Sequence, residues 1–199
     1  MRLKTRRILL ATLHTTLTLL CMAVAFVGLL FFGLNLAYRS SNVIGSSMIP
    51  NFYDGDYVLI ERYSEPEVGD VIIATPSWTK NAVIKRLIGK PGDTVKIIKT
   101  DRYELYCNDT LIYTKDLSNS KKYDEYNSFP NANDDGSITL GEDEYLIMGD
   151  NWYVSADSLT SGSAIKRSQI AGRVGVLIDR NENKFWALLS YSLKGVFSI

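Results

Sequence analysis

The sequence predicts a mostly β domain that follows one N-terminal transmembrane helix. Three observations predict it. No Asp, Glu, Lys or Arg occurs from Ile8 to Tyr38. Short runs rich in Val, Ile and Tyr then alternate with Gly, Asp, Asn or Pro. Beyond residue 38 no amphipathic helical pattern exceeds about two turns.

The elements follow in chain order. Residues 1–7 form a basic N-terminus carrying Arg2, Lys4, Arg6 and Arg7 without an acid. Residues 8–38 form the anchor, with the best span from Thr15 to Leu36; a helix needs about 20 apolar residues to cross a bilayer core. A cleaved signal peptide would cut after "AVA" at 23–25. The apolar run continues through "FVGLLFFGLNLAY", longer than the hydrophobic region of such a leader. The basic cluster sets the N-terminus on the cytoplasmic side and residues 39–199 outside, in a single-pass protein of the cell membrane.

Residues 39–199 hold 18 basic against 22 acidic residues, a net charge of −4. Such a domain lacks the basic stripe of a nucleic-acid binder. "DYVLIERY", "DVIIATP", "AVIKRLIG", "TVKIIK", "YELYCNDTLIYTK", "EYLIMGDN" and "AGRVGVLID" read as strands, the fifth as a hairpin turning near Asn108-Asp109. The polar segment 116–137 is an insertion beside the core. The tail "FWALLSYSLKGVFSI" is too short for a second span and reads as a last strand, or as a segment against the core or lipid. Cys21 lies in the span and Cys107 beyond it, so no disulfide framework supports the domain.

The chemistry is narrowed by the single histidine, His14, which lies in the anchor. The outer domain therefore has no Ser-His-Asp triad and no histidine-based metal site; neither a metal nor a cofactor is called for. A serine nucleophile still needs a base, and a lysine with a pKa depressed by burial can serve. Just after the anchor, "VIGSSMIPN" presents Ser46 and Ser47, which read equally as residues of a polar turn. In "NAVIKRLIGKPGD" strand periodicity puts Val83, Lys85 and Leu87 on one face, so Lys85 is flanked by apolar side chains. An edge-strand lysine facing water reads equally well from spacing alone. "MGDNWYVSADS", residues 148–158, has the composition of a tight hydrogen-bonded loop whose hydroxyls could orient an amine, with Asp150 and Asp157 fixing it.

In this order the pieces resemble the type I signal peptidases, membrane-anchored endopeptidases with a Ser/Lys dyad, in their short Gram-positive form. The nucleophile box is Ser47-Met48-Ile49-Pro50; the base box is Lys85-Arg86 followed by Gly89-Lys90-Pro91-Gly92-Asp93; the last box is Gly149-Asp150-Asn151 with Ser155 and Asp157-Ser158 downstream. "GDVI" at 69–72 and "AGRV" at 171–174 also fit. The resemblance implies a signal-peptidase-like, β-rich catalytic domain near the membrane surface. It implies Ser47 as nucleophile, Lys85 as general base, Ser155 orienting Lys85, and Arg86 and Asp157 in support. The Ser47 backbone N–H would face the oxyanion. The implied substrates are exported preproteins with small residues first and third before the cut, and the implied surroundings are membrane lipid. Met48, Phe52, Tyr53 and Trp78 are candidates for an apolar surface on the membrane side.

Four positions depart from the family pattern. Asn51 replaces the frequent threonine, Trp152 and Leu159 stand where arginines are common, and Gly45 stands where some members place a serine. Loss of both arginines removes expected salt bridges from the last box. An alternative follows: a non-catalytic signal-peptidase-like protein that assists pilus or surface-protein assembly. Such a protein would be expected to lose Ser47 or Lys85, and both are present. A simple anchored binding domain would leave the boxes to coincidence.

Overall fold

The structure, a computed structural model, describes residues 2–99, 102–116, 133 and 135–183. The chain divides into two compact units, 1–39 and 40–199.

The first unit is dominated by helix α1, Arg2–Ala37. Its described Leu, Ile, Val and Phe side chains are exposed, leaving the helix without a polar face. The stretch long and apolar enough to cross a membrane is Thr5–Leu30, with mean hydropathy 2.0, beginning earlier than the expected Thr15. Threonines account for the difference. The hydroxyls of Thr12, Thr15, Thr16 and Thr18 donate to carbonyls three or four residues back. Each polar group is thus satisfied within the helix, which lowers its cost in an apolar medium.

The second unit holds two antiparallel sheets. The strands are β1 (Tyr38–Asn42), β2 (Tyr57–Glu61), β3 (Val71–Ala74), β4 (Val83–Gly89), β5 (Thr94–Lys99), β6 (Arg102–Cys107), β7 (Thr110–Asp116), β8 (Ile138–Thr139), β9 (Leu146–Met148) and β10 (Ile170–Ile178). One sheet runs β1-β2-β10-β3-β4-β9 and the other β7-β6-β5-β8. A short helix, α2 (Ser158–Ser161), follows β9. The hairpin β6–β7 turns at Asn108 and Asp109, with φ of 49° and 60°. Both residue types tolerate this left-handed conformation, which matches the twist of paired strands.

Strand β4 contributes to three core clusters. Ile88 joins a core with Leu105, Leu146 and Trp152; Ile84 joins a second with Met48, Phe52 and Val58; Leu87 joins a third with Ile72, Ile147 and Ile165. Each buried aliphatic side chain of this kind contributes roughly 1.5–3 kcal/mol. Lys85 therefore sits on a strand anchored in all three cores. β4 lies between β3 and β9, so the edge-strand reading of Lys85 does not hold.

Met48 and Phe52 belong to the core and not to an apolar outer surface. The turn after Ser47 folds back, with the Asn51 and Phe52 N–H groups both donating to the Met48 carbonyl, and this buries both side chains. Tyr53 is exposed, its ring beneath the Arg180 guanidinium at 5.4 Å, and Trp78 is half-buried against the third core. Most of the expected insertion, 117–132 and 134, lies outside the described residues, as does the tail, 184–199.

Candidate active site

Three segments converge: the turn bearing Ser47, strand β4 and the loop 149–157. The turn leaves β1 through Gly45, whose φ of 90° favours glycine and whose N–H donates to Asp54 at 2.8 Å. Asn151 then pins the turn: its backbone N–H donates to the Ser47 carbonyl at 2.9 Å and its side-chain amide to the Ser46 carbonyl at 3.0 Å. Gly149 permits this approach, since a Cβ there would collide with the Ser47 carbonyl and the Ser155 side chain.

Lys85 Nζ lies 2.8 Å from Ser47 Oγ and donates to the Ile84 carbonyl at 3.0 Å. The lysine is 3% exposed, and its cross-strand partner in β3 is the fully buried Ile72. Desolvation holds its pKa below the ordinary lysine value; the carboxylates of Asp157 and Asp150 oppose that shift without cancelling it. Ser46 is exposed, and among the described residues no hydrogen bond joins its hydroxyl to β4. The Ser47 N–H donates to no acceptor among the described residues.

Arg86, the next residue on β4, forks onto Asp150, with Nε to Oδ1 at 2.8 Å and Nη2 to Oδ2 at 2.6 Å, and its Nη1 donates to the Gly69 carbonyl at 2.6 Å. This is the bidentate geometry that suits guanidinium and carboxylate. Asp150 Oδ2 also accepts from the Asn51 amide at 2.8 Å. Asp157 is buried; it accepts from the Gly149 N–H at 3.1 Å and caps α2 through Thr160 in a reciprocal capping box.

Ser155 stands apart from its expected role. It is fully buried, and among the described residues its hydroxyl has no hydrogen-bond partner; the acceptors of the Lys85 amine are Ser47 Oγ and the Ile84 carbonyl. The two missing arginines are also explained. Trp152 is buried and stacks on Tyr113 at 5.1 Å between ring centroids, and Leu159 is buried in the same core. Apolar packing supports the loop from one side, and Arg86 neutralises Asp150 from the other.

Sequence reasoning missed the bond from Asn51 to Asp150 and the clamp formed by Asn151. The one signal was the departure at Asn51 itself, an amide placed just after the turn proline. No group of side chains fit to hold a metal occurs among the described residues.

The family model for signal peptidase, peptidase S26, matches residues 13–178. Signal peptidase I T of Bacillus subtilis (strain 168) is 34% identical over 134 residues, covering 65% of this chain and 68% of that protein. Signal peptidase I of Bacillus licheniformis is 34% identical over 134 residues, covering 65% and 70%. A crystal structure of a signal peptidase I from Enterococcus faecalis V583 is 29% identical, covers 55% of this chain and 97% of that chain, and has a TM-score of 0.41. With its boxes in order and a family match spanning 13–178, the chain belongs to the signal peptidase family of serine endopeptidases, peptidase S26.

Proposed function

We propose that the protein removes N-terminal signal peptides from exported preproteins with Ser47 as nucleophile and Lys85 as general base. The observation that carries this reading is the buried Lys85 amine 2.8 Å from Ser47 Oγ. Neutral Lys85 has a lone pair for the hydroxyl proton, and burial favours that neutral form. As the proton moves to Nζ, Ser47 Oγ forms a bond to the scissile carbonyl carbon. The Ser47 N–H, uncommitted within the described protein, is the donor for the resulting oxyanion. The intermediate collapses as Lys85 returns its proton to the departing amine, leaving an ester on Ser47. The Lys85 amine then takes a proton from water, whose oxygen attacks the ester carbon, and returns it to Ser47 Oγ as the ester bond breaks and the signal peptide leaves with a free carboxylate.

Arg86, Asp150 and Asp157 act by holding the two loops and setting the field at Lys85, not by proton transfer. Helix α1 anchors the enzyme in the cell membrane with its basic N-terminus in the cytoplasm and the catalytic unit outside. Contact between serine and lysine favours catalysis over a purely assembly-assisting role with pilin or surface-protein machinery.

The test is cleavage of a preprotein by the purified full chain in detergent. Specific cleavage is expected, with loss in Ser47→Ala and a fall of about 10²–10⁴-fold in Lys85→Ala, the range for removing a general base. Undiminished cleavage in either variant would refute the dyad.

A further inference from the structure

We propose that Asn51 is a positioning residue for the reaction, locking the trailing end of the Ser47 turn to the lysine-bearing strand through Asp150; this rests on the Ser47/Lys85 reading above. The turn is held at its leading end by Asn151, which donates to the Ser46 and Ser47 carbonyls. At its trailing end the internal bonds to the Met48 carbonyl close the turn on itself but do not place it against β4. The directional bond that does so is Asn51 Nδ2 to Asp150 Oδ2, at 2.8 Å. Asp150 is 2% exposed and bound by Arg86 at both oxygens. Arg86 is covalently next to Lys85. A short relay thus runs from nucleophile turn to base strand: Asn51, Asp150, Arg86, Lys85.

The chemistry of position 51 follows from its partner. An ionised carboxylate offers only acceptors, and Oδ2 already takes one N–H from Arg86. The residue opposite must therefore donate, and a second carboxylate there would repel Asp150. Without Asn51, Asp150 keeps its bidentate arginine, so the fold survives and the turn loses its register. Apolar packing of Met48 and Phe52 holds the turn near the site, but such contacts are non-directional. Small misplacements of a reacting group are costly, with about 1 Å worth on the order of 10²-fold.

The experiment compares Asn51→Leu, Asn51→Asp, Asp150→Asn and the double variant Asn51→Asp/Asp150→Asn in the same full-length cleavage assay, with thermal unfolding of each. Asn51→Leu, nearly isosteric but without a donor, should lower kcat by on the order of tenfold and leave KM within about twofold, because position rather than substrate contact is lost. Asn51→Asp should lose more in the wild-type background, where two carboxylates oppose each other, and proportionally less in the Asp150→Asn background, where that repulsion is gone. That coupling shows the two positions acting as a pair, and a kcat loss at constant KM without a matching fall in thermal stability separates positioning from a merely structural role. Wild-type kcat in Asn51→Leu would overturn the inference, as would the same fractional loss from Asn51→Asp in both backgrounds. If wild type is active and Ser47→Ala is not, either result strikes Asn51 alone; cleavage undiminished in Ser47→Ala removes the dyad reading and this inference with it.

Discussion

Lys85 Nζ reaches Ser47 Oγ at 2.8 Å from a strand in which Lys85 itself is 3% exposed. A buried lysine is costly when charged, and here nearby carboxylates offset only part of that cost. Strand β4 tolerates it because Ile84, Leu87 and Ile88 anchor the strand in three cores. Stability spent at one position is supplied by its neighbours, a common arrangement at active sites.

The pH dependence has a definite sign. Lys85 is competent when neutral, so kcat/KM should rise as pH increases through its lowered pKa. Asp157 is the first of the two charges that push this pKa up, followed by Asp150, which Arg86 neutralises. Asp157→Asn removes that charge and keeps a good N-cap for α2. The acidic limb of the kcat/KM profile should move to lower pH. An unchanged or raised limb would show that Asp157 does not set the field at Lys85.

The pair Arg86–Asp150 should behave as a buried ion pair with one well-desolvated member. Arg86→Met leaves Asp150 buried with only the Asn51 amide for support. A loss of about 3 kcal/mol is expected, as when one partner of a buried pair is removed. Denaturant unfolding measures it. Arg86→Met/Asp150→Leu should recover part of the loss, because no uncompensated charge remains.

Trp152 is a test of how the loop is supported. Trp152→Ala should cost about 3–5 kcal/mol, the range for truncating a buried aromatic. Trp152→Arg, which restores the residue common at this place in the family, should be no less damaging. It would put a cation in the core of Tyr103, Tyr113 and Leu159 rather than in an ion pair. A stabilised Trp152→Arg protein, read by thermal unfolding, would contradict this account of the loop.

Topology gives a prediction independent of chemistry. Protease added to intact cells should degrade the unit that follows Arg39 and spare the short basic N-terminus. Protection of the whole chain, with digestion only after lysis, would reverse the orientation.

The strands were legible because each carries its own signal: β-branched and aromatic runs closed by turn residues, and Asn108-Asp109 set for a tight hairpin. The short edge strands β1, "YRSSN", and β8, "IT", were not. They have too few apolar residues to show a period and exist through their partners. Elimination pointed only to a lysine base, since the one histidine lies in the anchor, and it took the resemblance of the Lys85-Arg86 box to single out Lys85. Its interior place in the sheet was not legible, because strand order is a non-local property. Asn51, Trp152 and Leu159 looked like losses when judged one position at a time. In three dimensions Asn51 binds Asp150, and the other two enter a core.

The central claim is a covalent one: Ser47, not its neighbour Ser46, carries the acyl group. Acid quenching during the first turnover of a preprotein, followed by mass spectrometry of the digested enzyme, reads it directly. The account predicts a peptide heavier by the acyl mass of the signal peptide, with the modification on Ser47, absent in both Ser47→Ala and Lys85→Ala. Modification at Ser46, or acylation undiminished in Lys85→Ala, would contradict it.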